Sequence, residues 1–189
     1  TARDANQLEV KTWMSVGQPN GEVYTLHYYD GYLYVGGSFT GITGLLTTPN
    51  IARYHVATGV WSALADGRPA AILTILNVGT DIYAATATIV YKWNGSAWST
   101  VGTASAGSII TSATNGTDLY IGGTTTLVIN TVTISSGVAK WDGAAWTTVG
   151  TTANSTVYAL LWWNSVFYRG TNGSNPFRKY NGSAWVDVI

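Results

Sequence analysis

The chain has 189 residues, 46% of them hydrophobic, which is enough for one substantial packed domain and too apolar for disorder. Only 10% are charged and the formal net charge is zero; with the nine basic residues scattered, no basic stripe exists to neutralise phosphates, and nucleic acid is excluded as an expected partner. Cysteine is absent, ruling out disulfides, thiolate nucleophiles and cysteine metal sites, and the longest apolar stretch, 157–163, falls far short of the roughly 20 residues of a membrane-spanning helix.

In chain order, the first recognisable element is Thr12-Trp13-Met14-Ser15-Val16-Gly17, an isolated strand-like phrase. An apolar strand at 23–28 follows, then Asp30-Gly31-Tyr32-Leu33-Tyr34-Val35-Gly36-Gly37, then Arg53-Tyr54 leading through a turn to Trp61. The same succession returns three times. Apolar strands at 72–76, 109–113 and 157–162 precede Thr80-Asp81-Ile82-Tyr83-Ala84-Ala85, Gly116-Thr117-Asp118-Leu119-Tyr120-Ile121-Gly122-Gly123 and Ser165-Val166-Phe167-Tyr168-Arg169-Gly170. Each then reaches an aromatic turn phrase: Lys92-Trp93-Asn94-Gly95-Ser96-Ala97-Trp98, Lys140-Trp141-Asp142-Gly143-Ala144-Ala145-Trp146 and Lys179-Tyr180-Asn181-Gly182-Ser183-Ala184-Trp185. Asn-Gly and Asp-Gly between aromatics are hairpin signals of the type I′ kind. Each repeat therefore reads as four short strands, a-b-c-d, the pattern of one propeller blade.

The expected fold is all-β: a small β-propeller of about four blades of four antiparallel strands, with an extra N-terminal strand. The expected division of the single domain is an arm at 1–18 and repeats at 19–64, 65–102, 103–150 and 151–189. The repeat tryptophans Trp13, Trp61, Trp98, Trp146 and Trp185 are 48, 37, 48 and 39 residues apart. The added length of the long repeats falls in the b-to-c connection, at 38–50 and 124–137, where insertions project from one face. The strand at Trp13 is surplus, because the last repeat already has Trp185; pairing with another chain or a covered edge is its expected use, and repeats continued in a longer chain are the alternative. The first residue is Thr1, which points to a removed leading segment or a longer parent chain.

The phrases around 33–61 and 119–150 resemble kelch-like propeller repeats of bacterial surface proteins and of phage tail or fibre proteins, over residues 12–189. That resemblance implies a blade architecture and is silent on activity; two of the four repeats have lost its di-glycine. Galactose-oxidase enzymes share such a propeller, but their copper site needs cysteine and histidines, and this chain has no Cys and only His27 and His55. Sialidase propellers carry Asp-boxes; Asp142-Gly143-Ala144-Ala145-Trp146 lacks the residue between Asp and Gly, and Arg53, Arg68, Arg169 and Arg178 sit at unrelated repeat positions.

No catalytic residue, metal or cofactor is expected. Asp30, Asp81, Asp118 and Asp142 fall at turns, where Asp bonds to local backbone, and no Gly-x-Ser-x-Gly elbow occurs. His27 reads as a packed inter-strand residue. Asn94, Asn115, Asn154, Asn172 and Asn181 begin glycosylation sequons, and turn formation explains most of them without a glycan. The candidate binding residues are Tyr54, Trp93, Trp141 and Tyr180, which share one position before the turn, and Trp162 and Trp163, one of which must face outward from an alternating strand. Packing is the first use expected of the repeated aromatics; stacking on sugars is the second.

Few charges and many Thr, Ser, Asn and Gly suit an extracellular, cell-surface or virion setting, or a subunit covered in an assembly. The expected function is a non-catalytic structural or receptor-binding subunit of such an assembly, with other protein subunits as partners. A lectin that uses the aromatics and long loops to bind cell-surface glycans is the alternative, and a glycan hydrolase comes last.

Overall fold

The structure is a computed structural model that describes residues 16–151, 155–173 and 175–188. The surplus strand at Trp13 therefore lies outside the described residues except for Val16 and Gly17, as does the sequon residue Asn154.

Twenty strands and no helix make up the described residues. The first sheet takes β1 (Glu22–Tyr29), β2 (Tyr32–Ser38), β5 (Ile51–His55) and β6 (Val60–Ala63), with a two-stranded hairpin, β3 (Gly41–Ile42) and β4 (Leu46–Thr47), inserted between its second and third strands. The second is β7 (Thr74–Val78), β8 (Asp81–Ala85), β9 (Ile89–Trp93) and β10 (Trp98–Ala106). The third is β11 (Ile109–Thr114), β12 (Leu119–Gly123), β15 (Val138–Trp141) and β16 (Trp146–Thr148); its inserted hairpin, β13 (Val128–Ile129) and β14 (Val132–Thr133), pairs onto β10 and extends the second sheet to six strands. The fourth is β17 (Val157–Trp163), β18 (Val166–Thr171), β19 (Phe177–Tyr180) and β20 (Trp185–Asp187).

Every pairing within these sheets is antiparallel, and all but three join sequence neighbours through tight turns; β2–β5 and β12–β15 pair across the inserted hairpins, and β10 pairs with β13. The turns differ from the sequence expectation in one respect. In the Asn-Gly and Asp-Gly hairpins that lead into Trp98, Trp146 and Trp185 only the glycine takes a positive φ, as at Gly95 (101°) and Gly143 (98°). The preceding side chain closes the loop: Asn94 Oδ1 accepts from the Ser96 and Ala97 amides, and Asp142 Oδ1 from those of Ala144 and Ala145. A carboxamide or carboxylate that caps its own turn removes the need for a second left-handed residue. Two consecutive positive φ values occur instead in the first hairpin of a sheet, at Asp30 and Gly31 and at Asn164 and Ser165.

The sheets stack face to face in chain order. β1 lies against β7, β7 against β11 and β11 against β17, whereas β17 and β1 make no comparable contact, so the row is open. Each seam has its own apolar cluster. The first joins Tyr34 and Ile51 to Leu64, Ile72 and Trp93; the second joins Tyr83 and Val90 to Ile109, Leu119 and Trp146; the third joins Tyr120 and Val138 to Val157, Phe167 and Trp185.

A polar bond recurs across the seams. The indole N–H of each repeat tryptophan donates to a backbone carbonyl three residues beyond the preceding tryptophan: Trp98 to Leu64 (2.9 Å), Trp146 to Val101 (2.8 Å), Trp185 to Val149 (3.0 Å), and Trp61 to Val16. Each ring gains its burial, about 2–3 kcal/mol, without orphaning its N–H.

Candidate binding surfaces

Tyr54, Trp93, Trp141 and Tyr180 stand at one position on the third strand of their sheets, each directly across a hairpin from a repeat tryptophan. Their ring centroids lie 5.3, 5.2, 5.4 and 5.3 Å from Trp61, Trp98, Trp146 and Trp185, in tilted pairs. Such pairs stabilise a hairpin by aromatic contact. Trp93 is buried, and Tyr54, Trp141 and Tyr180 are half-buried. The four are spread over four sheets and do not converge.

Trp162 and Trp163 take opposite faces of β17, as alternation requires. Trp162 stacks on Phe167 (4.8 Å, 6°) and against Tyr120, with its buried indole nitrogen unpartnered, while Trp163 is exposed. A cleft of about 280 Å³ between the third and fourth sheets brings Trp162 and Tyr180 together with Tyr120, Lys140 and Thr147. Burial, followed by the neighbouring Asp118, raises the Tyr120 phenol to about 12, so the ring in this cleft is a neutral hydrogen-bonding group.

The basic residue before each of these aromatics has a partner on the adjacent strand in three sheets. Lys92 meets Asp81 (2.7 Å), Lys140 meets Asp118 (3.8 Å), and Arg53 lies 4.3 Å over the Tyr32 ring. In the fourth sheet Val166 holds that partner position opposite Lys179. The acids at these positions are thus committed to structure. Among the described residues no group of three His, Asp or Glu is placed to hold a metal. His27 bonds Asn77 Oδ1 of the second sheet at 2.9 Å, and His55 packs edge-on to Tyr32.

The extra loops are anchored inward. The tip of β13–β14 bonds to 101–103 of β10, and the β3–β4 hairpin bonds to residues 18–20. Leu127, Ile129 and Ile134 of one, and Phe39 and Ile42 of the other, are buried.

Sequence reasoning missed two surfaces and one buried charge. On the outer face of the fourth sheet, Ala159, Leu161, Trp163, Tyr168, Gly170, Phe177 and Val188 line an apolar trough of about 470 Å³. On the outer face of the first sheet, Val23, Leu26 and Tyr28 are exposed. The signal was present at Phe177, a large ring at the position of Ile51, Val90 and Val138, but only the order of the sheets shows which faces lack a neighbour. Arg169 is buried where the other repeats have Val35, Ala84 and Ile121. It donates to the Ser136 carbonyl (2.9 Å) and lies 4.5 Å over Trp185, with its Nε unpartnered; burial, with Arg178 adding repulsion, lowers it to about 10.

No protein-family model and no curated protein matches the chain. Solved structures similar in fold include these two. The extracellular domain of the putative one component system BT4673 from B. thetaiotaomicron aligns over 85% of this chain at a TM-score of 0.57 and 16% identity, and this chain spans about a fifth of its length (21%). The computationally designed Ika4 protein aligns over 89% of this chain and 98% of its own, at a TM-score of 0.60 and 13% identity, so the arrangement of sheets is shared where almost none of the sequence is.

Proposed function

We propose that this chain is a non-catalytic structural or receptor-binding subunit of an extracellular assembly, such as a phage tail, fibre or capsid appendage or a bacterial surface protein, and that its four sheets are the blades of an incomplete propeller. The observation that carries the reading is the pair of apolar sheet faces left uncovered at the two ends of the row. Contiguous apolar surface of this kind marks a site of association. The low charge, the kelch-like phrases and the structural likeness to an extracellular domain support the setting. Light scattering at micromolar concentration tests it: the expected mass exceeds the 20.1 kDa of one chain, and a monodisperse monomer overturns the assembly reading.

One observation favours a second reading, a lectin. The cleft holding Trp162, Tyr180, Tyr120 and Lys140 offers ring faces and polar groups together, as sugar recognition requires. Quenching of tryptophan fluorescence by simple sugars is the expected result, and a silent titration together with a blank glycan array removes it.

A further inference from the structure

The seam between consecutive sheets is built three times from the same positions. The preceding sheet offers a small residue on its second strand: Gly36, Ala85 and Gly122 in the first three sheets. The following sheet sets on it two side chains from its first strand or the residues just before that strand. A Cβ at Gly36 would come within 2.6 Å of Ile72 and 2.8 Å of Ile75; one at Gly122 would meet Val157 at 2.8 Å and Leu160 at 3.2 Å. Glycine is needed there because another sheet's side chains occupy the space of its own. Where Ala85 replaces the glycine, Ser112 takes the position of Ile75 and Leu160, so added volume on one side is matched by reduced volume on the other.

Both halves of this joint are also present at the ends of the row, unused. Gly170 of the fourth sheet holds the small-residue position, and a Cβ there would meet only the Ala159 methyl, at 3.4 Å. Around it Leu161 and Phe177 are 57% and 55% exposed, whereas their counterparts Leu76 and Val138 are 7% and 0% exposed. In the first sheet, Val23 and Leu26 hold the positions of Ile72 and Ile75. They are 41% and 61% exposed, against 0% and 5%. The outer part of that same face is already covered by residues 16–20 and the β3–β4 hairpin, so its open part is the inner strip that the joint uses.

We propose that a second copy of this chain docks head to tail, with Val23 and Leu26 of one copy seated over Gly170 in the trough of the other. The inference rests on the assembly reading above and names its partner and its joint. Continuity with the internal seams fixes the register. Asn77 of the second sheet reaches His27 of the first, so Tyr28 of the incoming copy, at the position of Asn77, lies over Leu161, at the position of His27. Val188 follows Trp185 by three residues, as Val16 follows Trp13. The tail therefore presents, at Val188, the counterpart of the Val16 carbonyl that Trp61 uses within its own chain, and in the docked pair one of these two segments yields to the other. A head-to-tail contact is heterologous and either closes or propagates. Propellers close at about four to eight blades, so two copies, with two identical joints, complete one ring.

The test is native mass spectrometry with light scattering on the full chain and two variants, Leu26→Asp at the head and Leu161→Asp at the tail. Both positions are more than half exposed, so the isolated fold tolerates the changes, and far-UV circular dichroism confirms that it does. The wild type is expected at twice 20.1 kDa, each variant alone as a monomer, and an equimolar mixture as a partial recovery of dimer, because one intact head then meets one intact tail. A dimer that persists in either variant alone, a mixture that stays monomeric, or an open series of masses rising with concentration overturns the proposal. Association untouched by either substitution refutes the joint while leaving the assembly reading standing; a monomeric wild type refutes both.

Discussion

The two inserted hairpins occupy the same connection of the first and third sheets, yet they are held from opposite sides. In the third sheet the amide belongs to the hairpin: Asn130, at its tip, donates to the Val101 carbonyl and accepts from the Thr103 amide of the preceding outer strand. In the first sheet the amide belongs to the preceding segment: Asn20 accepts from the Thr40 and Gly41 amides and donates to the Thr40 hydroxyl. On their return legs the first insert is fixed by the backbone of Arg68, which accepts from Asn50, and the second by the Arg169 guanidinium on Ser136. The common result is a clasp that presses a hairpin over its own sheet's tryptophan, Trp61 in one case and Trp146 in the other. An insertion in a repeat protein can thus be consumed in sealing a seam rather than in reaching a ligand, and the seal can be wired in either direction.

Five substitutions test how far the clasps are equivalent. The largest effect is expected from Trp146→Ala, which empties a buried site and should cost about 3–5 kcal/mol in denaturant unfolding. Trp61→Ala, with a half-buried ring, should cost distinctly less. Equal losses would show that the two clasps contribute alike to stability. Next is Gly102→Ala, whose methyl would come within 2.6 Å of Ile129 and 2.9 Å of Trp146; overpacking of this kind should cost about 1–3 kcal/mol and lower the melting temperature.

Arg169→Met should act in the other direction, raising stability by about 1 kcal/mol at neutral pH, because it removes a buried cation that has no carboxylate partner. The pH dependence separates charge from shape. Burial holds the folded-state value near 10, below that of the unfolded chain, so above that pH the unfolded state binds more protons and wild-type stability rises. The advantage of the variant should narrow as pH climbs past about 10; an advantage constant with pH would make it a packing effect. The smallest change is Asn130→Gly, which keeps the left-handed backbone (φ 45°) and loses only the side-chain bonds, about 1 kcal/mol. If it costs nothing, the hairpin is held by its apolar side chains alone.

The four-strand succession was legible because alternation, turn residues and recurring tryptophans are local signals. The aromatics before the turns were legible as a set, and their pairing with the following tryptophan follows from hairpin geometry. The turn type was not, since Asn94 and Asp142 are compatible with both a left-handed backbone and a side-chain cap, and only hydrogen-bond geometry distinguishes them. Nor was the backward reach of the inserts, because Asn20 and Asn130 are ordinary turn residues until the strand 20 to 30 residues away is placed beside them. Arg169 reads as a degraded glycine motif and gives no sign of its burial. Of the trough, Trp163 and Phe177 gave a signal, but the rest of its lining and the exposed strip on the first sheet are residues of the same kinds that are buried at every internal seam.

The direction of the indole bonds carries a consequence for biosynthesis. Every described repeat tryptophan satisfies its N–H on a carbonyl nearer the start of the chain, and the tips of the inserts bond toward the start as well, while their return legs are fixed by the later residues Arg68 and Arg169. A chain emerging from the ribosome can therefore satisfy each repeat tryptophan's indole N–H on material already outside the exit tunnel, whereas the second sheet gains its last two strands only when the next repeat has emerged.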